Sequence, residues 1–304
     1  MKRFLIKISI VGVAVIVVLA AMEMYVRSIP NEYSYKYNYL ETHIDSIEVL
    51  ALGSSIGRSG IDPECFEAYT FNAANVSQDL ETDCALIDKY LPRAKNLKAV
   101  IFTLLPGSFC GRMGEGIESW RLRKYAIYMD LDIDKPRLTE SLEIFDLNKT
   151  FKQIIKGIKG QQTVECYEKG MGTDLDIEPE SEKLAQAIRI SKIHNEGYKP
   201  ANYEIVVPRM KTTIDHLLAK GIEVYLVMMP VYYTYSERID YKMLSECDSI
   251  AKQLASSSPN IHYFNMFTDT SFTTEDFRNS NHLSQAGAKK LSSKLNENIS
   301  SYAE

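Results

Sequence analysis

From Ile8 to Met22 the chain carries no charged residue, and Lys2, Arg3 and Lys7 stand directly before this run. With Phe4 to Ile6 added, the run approaches the roughly 20 apolar residues a bilayer-spanning helix needs, and it also resembles the core of a secretory signal. Only Ser9 interrupts the apolar character with a polar side chain, so a buried helix of a soluble core is the weaker reading. No small-x-small cleavage site precedes Glu23, which favours an uncleaved anchor. The basic flank is expected on the cytoplasmic side and the rest of the chain outside, with Arg27 slightly weakening the asymmetry. Residues 1–27 thus read as a cytoplasmic tip and transmembrane signal anchor. Residues 28–46, rich in Tyr, Asn and charge with Pro30 near the start, read as a linker, and 47–304 as one domain.

The remainder is about the size of a single α/β domain. With 45% hydrophobic and 25% charged residues among 304, the composition is that of a globular protein. A net charge of -5, with basic residues scattered instead of striped, argues against a nucleic-acid partner. Cys65, Cys84, Cys110, Cys166 and Cys247 are widely spaced and form no CxxC pair, which disfavours structural zinc. Their odd number leaves at least one thiol and permits one or two disulfides in an oxidising compartment. Asp130, Asp132 and Asp134 alternate as metal ligands sometimes do, but neither the glycine nor the closing glutamate of a calcium loop follows, so no metal and no cofactor is expected.

Ile47 to Leu52 is a short apolar run ending in Gly53-Ser54-Ser55, the pattern of a buried parallel strand running into a tight turn. Further strands are predicted ending at Phe71-Asn72 and over Leu97 to Leu105, Ile222 to Met229 and Ile261 to Phe267. Helices are predicted over Leu80 to Leu91, Ala201 to Leu218, Met243 to Leu254 and Ser284 to Ile299. The pattern blurs after Pro106-Gly107, and 108–200 reads as a helical insertion with stretches around Trp120 to Met129 and Leu142 to Ile158. Strands alternating with helices imply an α/β fold: a central parallel sheet with helices on both faces, and a ligand crevice beyond the carboxyl ends of the strands.

Ser55, just past the end of the first strand, is placed as a nucleophile would be. Gly-Ser-Ser is also common turn chemistry, so a partner base has to be found. His43 lies in the linker, His194 in the insertion, His216 in a helical pattern and His262 beside a strand. His282 alone stands in a loop at a strand-end position, directly before a helix, on the face that carries Ser55.

The stretches VLALGSSIGRSGIDPECF, FNAANVSQDL and DFRNSNHLSQAGAKKLS resemble the first, second and last blocks of SGNH/GDSL-type hydrolases. More closely, they are similar to the membrane-anchored, acyltransferase-associated branch that includes DltD-like proteins. The resemblance implies an SGNH-type three-layer sandwich and an extracytoplasmic serine esterase or O-acyltransferase. Acylated cell-envelope or exported polysaccharide would be its substrate and a membrane-bound O-acyltransferase a partner. A catalytically weak or inactive binding or assembly component on the same fold is the competing reading.

By the same resemblance Ser55 is the nucleophile and His282 its base. The backbone N–H groups of Ser55 and Ala74 form the oxyanion hole, and Asn72 and Asn75 flank the substrate. Asn279 stands where the motif Asp-x-x-His has its aspartate, with Asp276 nearby as a substitute. An amide carries no charge, and in a serine triad the Asp-to-Asn exchange costs about 10⁴ in kcat when it holds the wrong imidazole tautomer. Leu104-Leu105-Pro106-Gly107 stands where a third-block asparagine is expected, and loss of one oxyanion donor costs about 2.7–4 kcal/mol.

Overall fold

The computed structural model describes residues 1–131, 133 and 141–301. Asp132 and Asp134 lie outside the described residues. In chain order the elements are α1 (Lys2–Ser28), α2 (Glu32–His43), β1 (Val49–Leu52), α3 (Ser55–Gly60), β2 (Thr70–Asn72), α4 (Leu80–Tyr90), β3 (Ala99–Leu104), α5 (Leu122–Tyr128), α6 (Leu147–Ile158), α7 (Glu180–Glu196), α8 (Tyr203–Leu218), β4 (Glu223–Met228), α9 (Tyr233–Ser236), α10 (Tyr241–Ala255), β5 (Ile261–Asn265) and α11 (Gln285–Ser301). Two compact units result: Met1–Tyr37 with Trp120–Glu165, and Asn38–Ser119 with Cys166–Glu304.

The second unit holds a five-stranded sheet in the order β2-β1-β3-β4-β5, parallel throughout. Its central strands are apolar runs buried on both faces, as an all-parallel sheet requires. Leu50 lies opposite Phe71 on one side and Val100 on the other, and Ile101 lies opposite Tyr225. Side chains alternate between the faces. Ala51, Ile101 and Val227 pack with Ile56 of α3 and with Leu291 and Leu295 of α11. On β4 lie α8 and α10, with α4 against α8. Because β1 pairs with β2 on one side and β3 on the other, the chain switches direction there, and the crevice opens at the carboxyl end of β1.

At that end the backbone of Gly53 meets β3. A Cβ on Gly53 would lie 2.0 Å from Thr103 Oγ1 and 2.9 Å from Thr103 O, and φ is +125°. Gly57, one turn into α3, is equally close, 2.3 Å from the same hydroxyl. Thr103 Oγ1 in turn donates to Leu52 O at 2.9 Å. Glycine is therefore required by both space and conformation at this corner.

Two segments carry structure that their composition conceals. Residues 28–46, read as a linker, contain α2, whose Tyr33, Lys36, Leu40 and the following Ile44 are buried at helical spacing. A tyrosine-rich composition hid that period, because tyrosine counts as polar in a linker and as apolar in a helix face. The expected insertion at 108–200 also divides: 120–165 forms a compact unit with the N-terminal segment, while 108–119 and 166–200 belong with the sheet. Helix α7 shows no apolar period in sequence because it buries Lys183, Ala187 and Ser191 and leaves Leu184 and Ile188 exposed, the reverse of the usual pattern.

The first unit is helical. α1, 27 residues long, is long and apolar enough to cross a membrane, and its apolar side chains from Phe4 to Leu19 are exposed. Among the cysteines, Cys65, Cys84, Cys110 and Cys247 are free thiols.

Gly53→Ala is expected to destabilise the protein by about 2–5 kcal/mol, the sum of forcing a Cβ into a filled space and holding it at positive φ. Thermal denaturation measures the loss; an unchanged midpoint would show that the β1–β3 corner can yield.

Candidate active site

Ser55 opens α3 directly after the Gly53 corner, so its side chain stands at the carboxyl edge of the sheet, half-exposed, while the rest of α3 is buried. The corner is held from below. Gly53 N–H donates to Asp83 Oδ1 at 3.1 Å, and Gln78 Nε2 donates to the same oxygen at 2.6 Å. From the loop after β2, Asn75 N–H donates to Gly53 O at 3.1 Å. Asp83 is fully enclosed, and burial, assisted by the Asp79 carboxylate, pushes its carboxyl up to about 8.

His282 sits in a closed loop between β5 and α11. Phe277 and Leu283 form a bridge across it, Arg278 N–H donates to His282 O at 3.0 Å, and Ser284 N–H donates to Asp276 O at 2.9 Å. Gln186 of α7 reaches in from the side, where its Oε1 accepts from Ser280 N–H and Ser280 Oγ, both at 3.2 Å. Gly287 lets α11 approach, since a Cβ there would lie 2.0 Å from Asp276 O.

The two sequence candidates meet. His282 Nε2 is 2.9 Å from Ser55 Oγ, across 227 residues of chain. Its other ring nitrogen, Nδ1, is 2.9 Å from Asn279 Oδ1. The orientation of that amide decides the proton arrangement. Asn279 Nδ2 donates to Glu178 Oε1 at 3.2 Å, while Oδ1 accepts the N–H groups of Asn281 at 3.3 Å and His282 at 3.1 Å. An amide oxygen only accepts, so Nδ1 must carry the proton. Nε2 is then a bare acceptor, and the Ser55 hydroxyl donates to it. The wrong tautomer expected from an Asp-to-Asn exchange is not held, because Glu178 and the two backbone donors turn the oxygen toward the ring.

What the amide lacks is charge. Burial, with the positive surroundings of Arg278, His194 and Arg58, pushes the His282 imidazole down to about 3. A carboxylate contact that would raise it is absent from Nδ1, and the nearest acid in this chain of bonds is Glu178, beyond Asn279.

Asp276 does not take the aspartate's place. Its Oδ2 accepts from Thr273 N–H at 2.8 Å and pairs with Lys290 Nζ at 2.9 Å, capping the turn before the loop. Asn72 is consumed inside the fold: Nδ2 donates to Gly57 O at 2.9 Å and Ile61 O at 2.8 Å. Its Oδ1 accepts the N–H of Ala74 at 3.1 Å, so that donor is already engaged. Asn75 Nδ2 is buried without a hydrogen-bond partner. After β3, Leu105 N–H donates to Ser108 Oγ at 2.8 Å, and no side-chain amide stands in Leu104-Leu105-Pro106-Gly107. Glu178, Gln186 and Asp83 are the supporting residues that sequence reasoning missed. Each acts on a partner 30 to 101 residues away, and none lies in a recognisable motif.

No family model and no curated protein matches the chain. Solved structures do match, among them one described as "a putative platelet activating factor from Streptococcus pneumonia", with 10% identity and a TM-score of 0.45 over 96% of this chain and 99% of that one.

Asp83 makes stability depend on pH. Between the ordinary aspartate value of 3.8 and about 8, the unfolded chain releases this proton while the folded protein keeps it. Stability therefore falls as pH rises through that window. Asp83→Asn, which keeps an oxygen for Gly53 N–H, should flatten the fall in melting temperature between mildly acidic and mildly alkaline buffer; an equally steep profile would show that no proton is held there.

Proposed function

We propose that this chain is an SGNH-like serine esterase or O-acyltransferase, anchored by α1 with its sheet domain outside the cytoplasm. One observation carries the reading: Ser55 Oγ, His282 Nε2, His282 Nδ1 and Asn279 Oδ1 form a continuous line of hydrogen bonds in which every proton has a determined place. That is the arrangement a nucleophile, a base and an orienting group need.

In the reaction, His282 Nε2 takes the Ser55 proton as Oγ attacks an ester carbonyl. The oxyanion is met by the N–H of Ser55, which opens α3. Collapse of the tetrahedral intermediate breaks the bond to the alcohol, which leaves with the proton returned from Nε2, and an acyl-serine remains. A water molecule or a sugar hydroxyl, deprotonated by the same nitrogen, then attacks the acyl carbonyl, the bond to Ser55 Oγ breaks, and Nε2 returns the proton to Oγ. Acylated cell-envelope or exported polysaccharide is the proposed substrate, with a membrane-bound O-acyltransferase as partner, in keeping with the anchor and with the sequence blocks that resemble the DltD-like branch.

A second reading has a specific observation behind it. With a neutral amide on Nδ1, the imidazolium formed during attack is poorly stabilised, which suits a binding or assembly component that has kept the fold of an enzyme. Ser55→Ala separates the two. Turnover of a simple aryl ester and an acyl adduct detected by mass spectrometry in the parent protein, both lost in the variant, would support catalysis; unchanged turnover by a folded variant sinks it.

Asn279→Asp gives a graded test. A carboxylate on Nδ1 should raise the His282 pKa by about 1–3 units, and the acid limb of kcat/KM should move up by the same amount. Activity at neutral pH should rise, by less than the about 10⁴ associated with the reverse change, because the tautomer is already correct. A fixed acid limb would mean that His282 is not the base.

A further inference from the structure

The unit formed by Met1–Tyr37 and Trp120–Glu165 carries an apolar surface that its own fold leaves open. In α6, Leu147, Phe151, Ile155 and Ile158 recur at intervals of three and four residues and so form one stripe. Their exposures are 51, 51, 49 and 72%. The inward face is a different one, made by Thr150, Gln153, Ile154 and Gly157. Lys149, Lys152, Lys156 and, just beyond the helix, Lys159 make a third, of which Lys149 and Lys156 also pair with Asp146 and Glu165. A helix packed only on its own protein would have turned the apolar stripe inward.

The position of α6 says what covers that stripe. Gly157 backs onto the end of α1, where a Cβ would lie 2.8 Å from Ile29 Cδ1 and 3.5 Å from Tyr25 Oη. Ahead of α6, the N–H groups of Glu143 and Ile144 donate to the Glu23 carboxylate at 3.1 and 3.0 Å, and Arg27 Nη2 donates to Ser141 O at 2.7 Å. Residues 141–158 are thus fastened at both ends to the last turns of α1, where its uncharged run gives way to Glu23 and Arg27. That is the level of a bilayer surface if α1 spans. The single tryptophan, Trp120, lies nearby, with Lys149 Nζ 3.4 Å and the Arg121 guanidinium 4.4 Å from its ring centroid. Tryptophan among cations is a usual composition for the headgroup layer.

We propose that α6 lies flat in the surface of the lipid bilayer beside α1, with Leu147, Phe151, Ile155 and Ile158 in the headgroup–acyl boundary and its lysines among the lipid phosphates. The inference rests on α1 crossing the membrane and is independent of the chemistry at Ser55. An amphipathic helix held there buries its apolar face about 5–10 Å deep. The sheet domain is then joined to the membrane by a segment with two lipid contacts, one across the bilayer and one along it.

Trp120→Phe provides a background without tryptophan. Into it, Phe151→Trp reports the apolar stripe, Lys152→Trp the lysine face and Val15→Trp the body of α1, each in the full chain reconstituted into phosphatidylcholine–phosphatidylglycerol vesicles. Brominated phosphatidylcholine should quench the emission at 151 and at 15 by about twofold or more, while aqueous iodide quenches chiefly at 152. Quenching at 15 by bromolipid but at 151 by iodide would overturn the proposal for α6 and leave the anchor standing. Protection of 151 from both quenchers would assign the stripe to a protein partner and overturn it equally. Absence of bromolipid quenching at both 15 and 151 would remove the anchor and the proposal together.

Discussion

The carboxyl end of β1 runs against Thr103 with no space for a side chain, and much of the rest of the site follows from that contact. Because Gly53 and Gly57 have no Cβ, β1 can close on β3 and α3 can start at once, within a residue of the corner. Ser55 is thereby presented at the open edge of the sheet while Ile56 to Gly60 stay buried behind it. Asp83, whose carboxyl is held well above the usual carboxylate range by burial, accepts from both Gly53 N–H and Gln78 Nε2 and so braces the corner beneath the nucleophile turn.

Across the crevice the decisive atom is Asn279 Oδ1. Three donors converge on it, the N–H groups of Asn281 and His282 and the ring Nδ1, and Glu178 takes the amide nitrogen on the other side. Orientation and charge, usually supplied together by an aspartate, are here separated. The orientation is kept and the charge is one residue removed, at Glu178. The imidazole is consequently aligned for proton transfer and yet held well below its ordinary pKa. Any turnover by Ser55 would draw on alignment more than on electrostatic stabilisation of the imidazolium.

The helical unit shows a related economy of means. Glu23, an acid at the end of an apolar helix, is covered by the 141–145 turn, which uses its carboxylate as an acceptor for two backbone N–H groups. The same fastening brings α6 to the end of α1, with its apolar stripe turned away from the protein. A reading of α6 as a soluble amphipathic helix would assign that stripe to a core, and the packing assigns it elsewhere.

Several features were legible from the chain alone. The runs Ile47 to Leu52 and Leu97 to Leu105 announced a parallel sheet, because burial on both faces is written in adjacent residues, while strand-end positions only offered Ser55 and His282 as candidates and the resemblance of their flanking blocks paired them. The uncharged run from Ile8 to Met22 likewise announced a helix of membrane length. What the chain could not disclose were choices made between residues far apart. Asp276 and Asn279 are three positions from each other, yet Lys290 draws the first away and Glu178 turns the second inward. Asn72 and Ala74 spend their polar groups on the fold, and α2 and α7 bury faces whose composition conceals their period. Hydrophobic periodicity is a local property and survives in sequence. The direction of a hydrogen bond is settled only by which donors and acceptors the folded chain brings within about 3 Å.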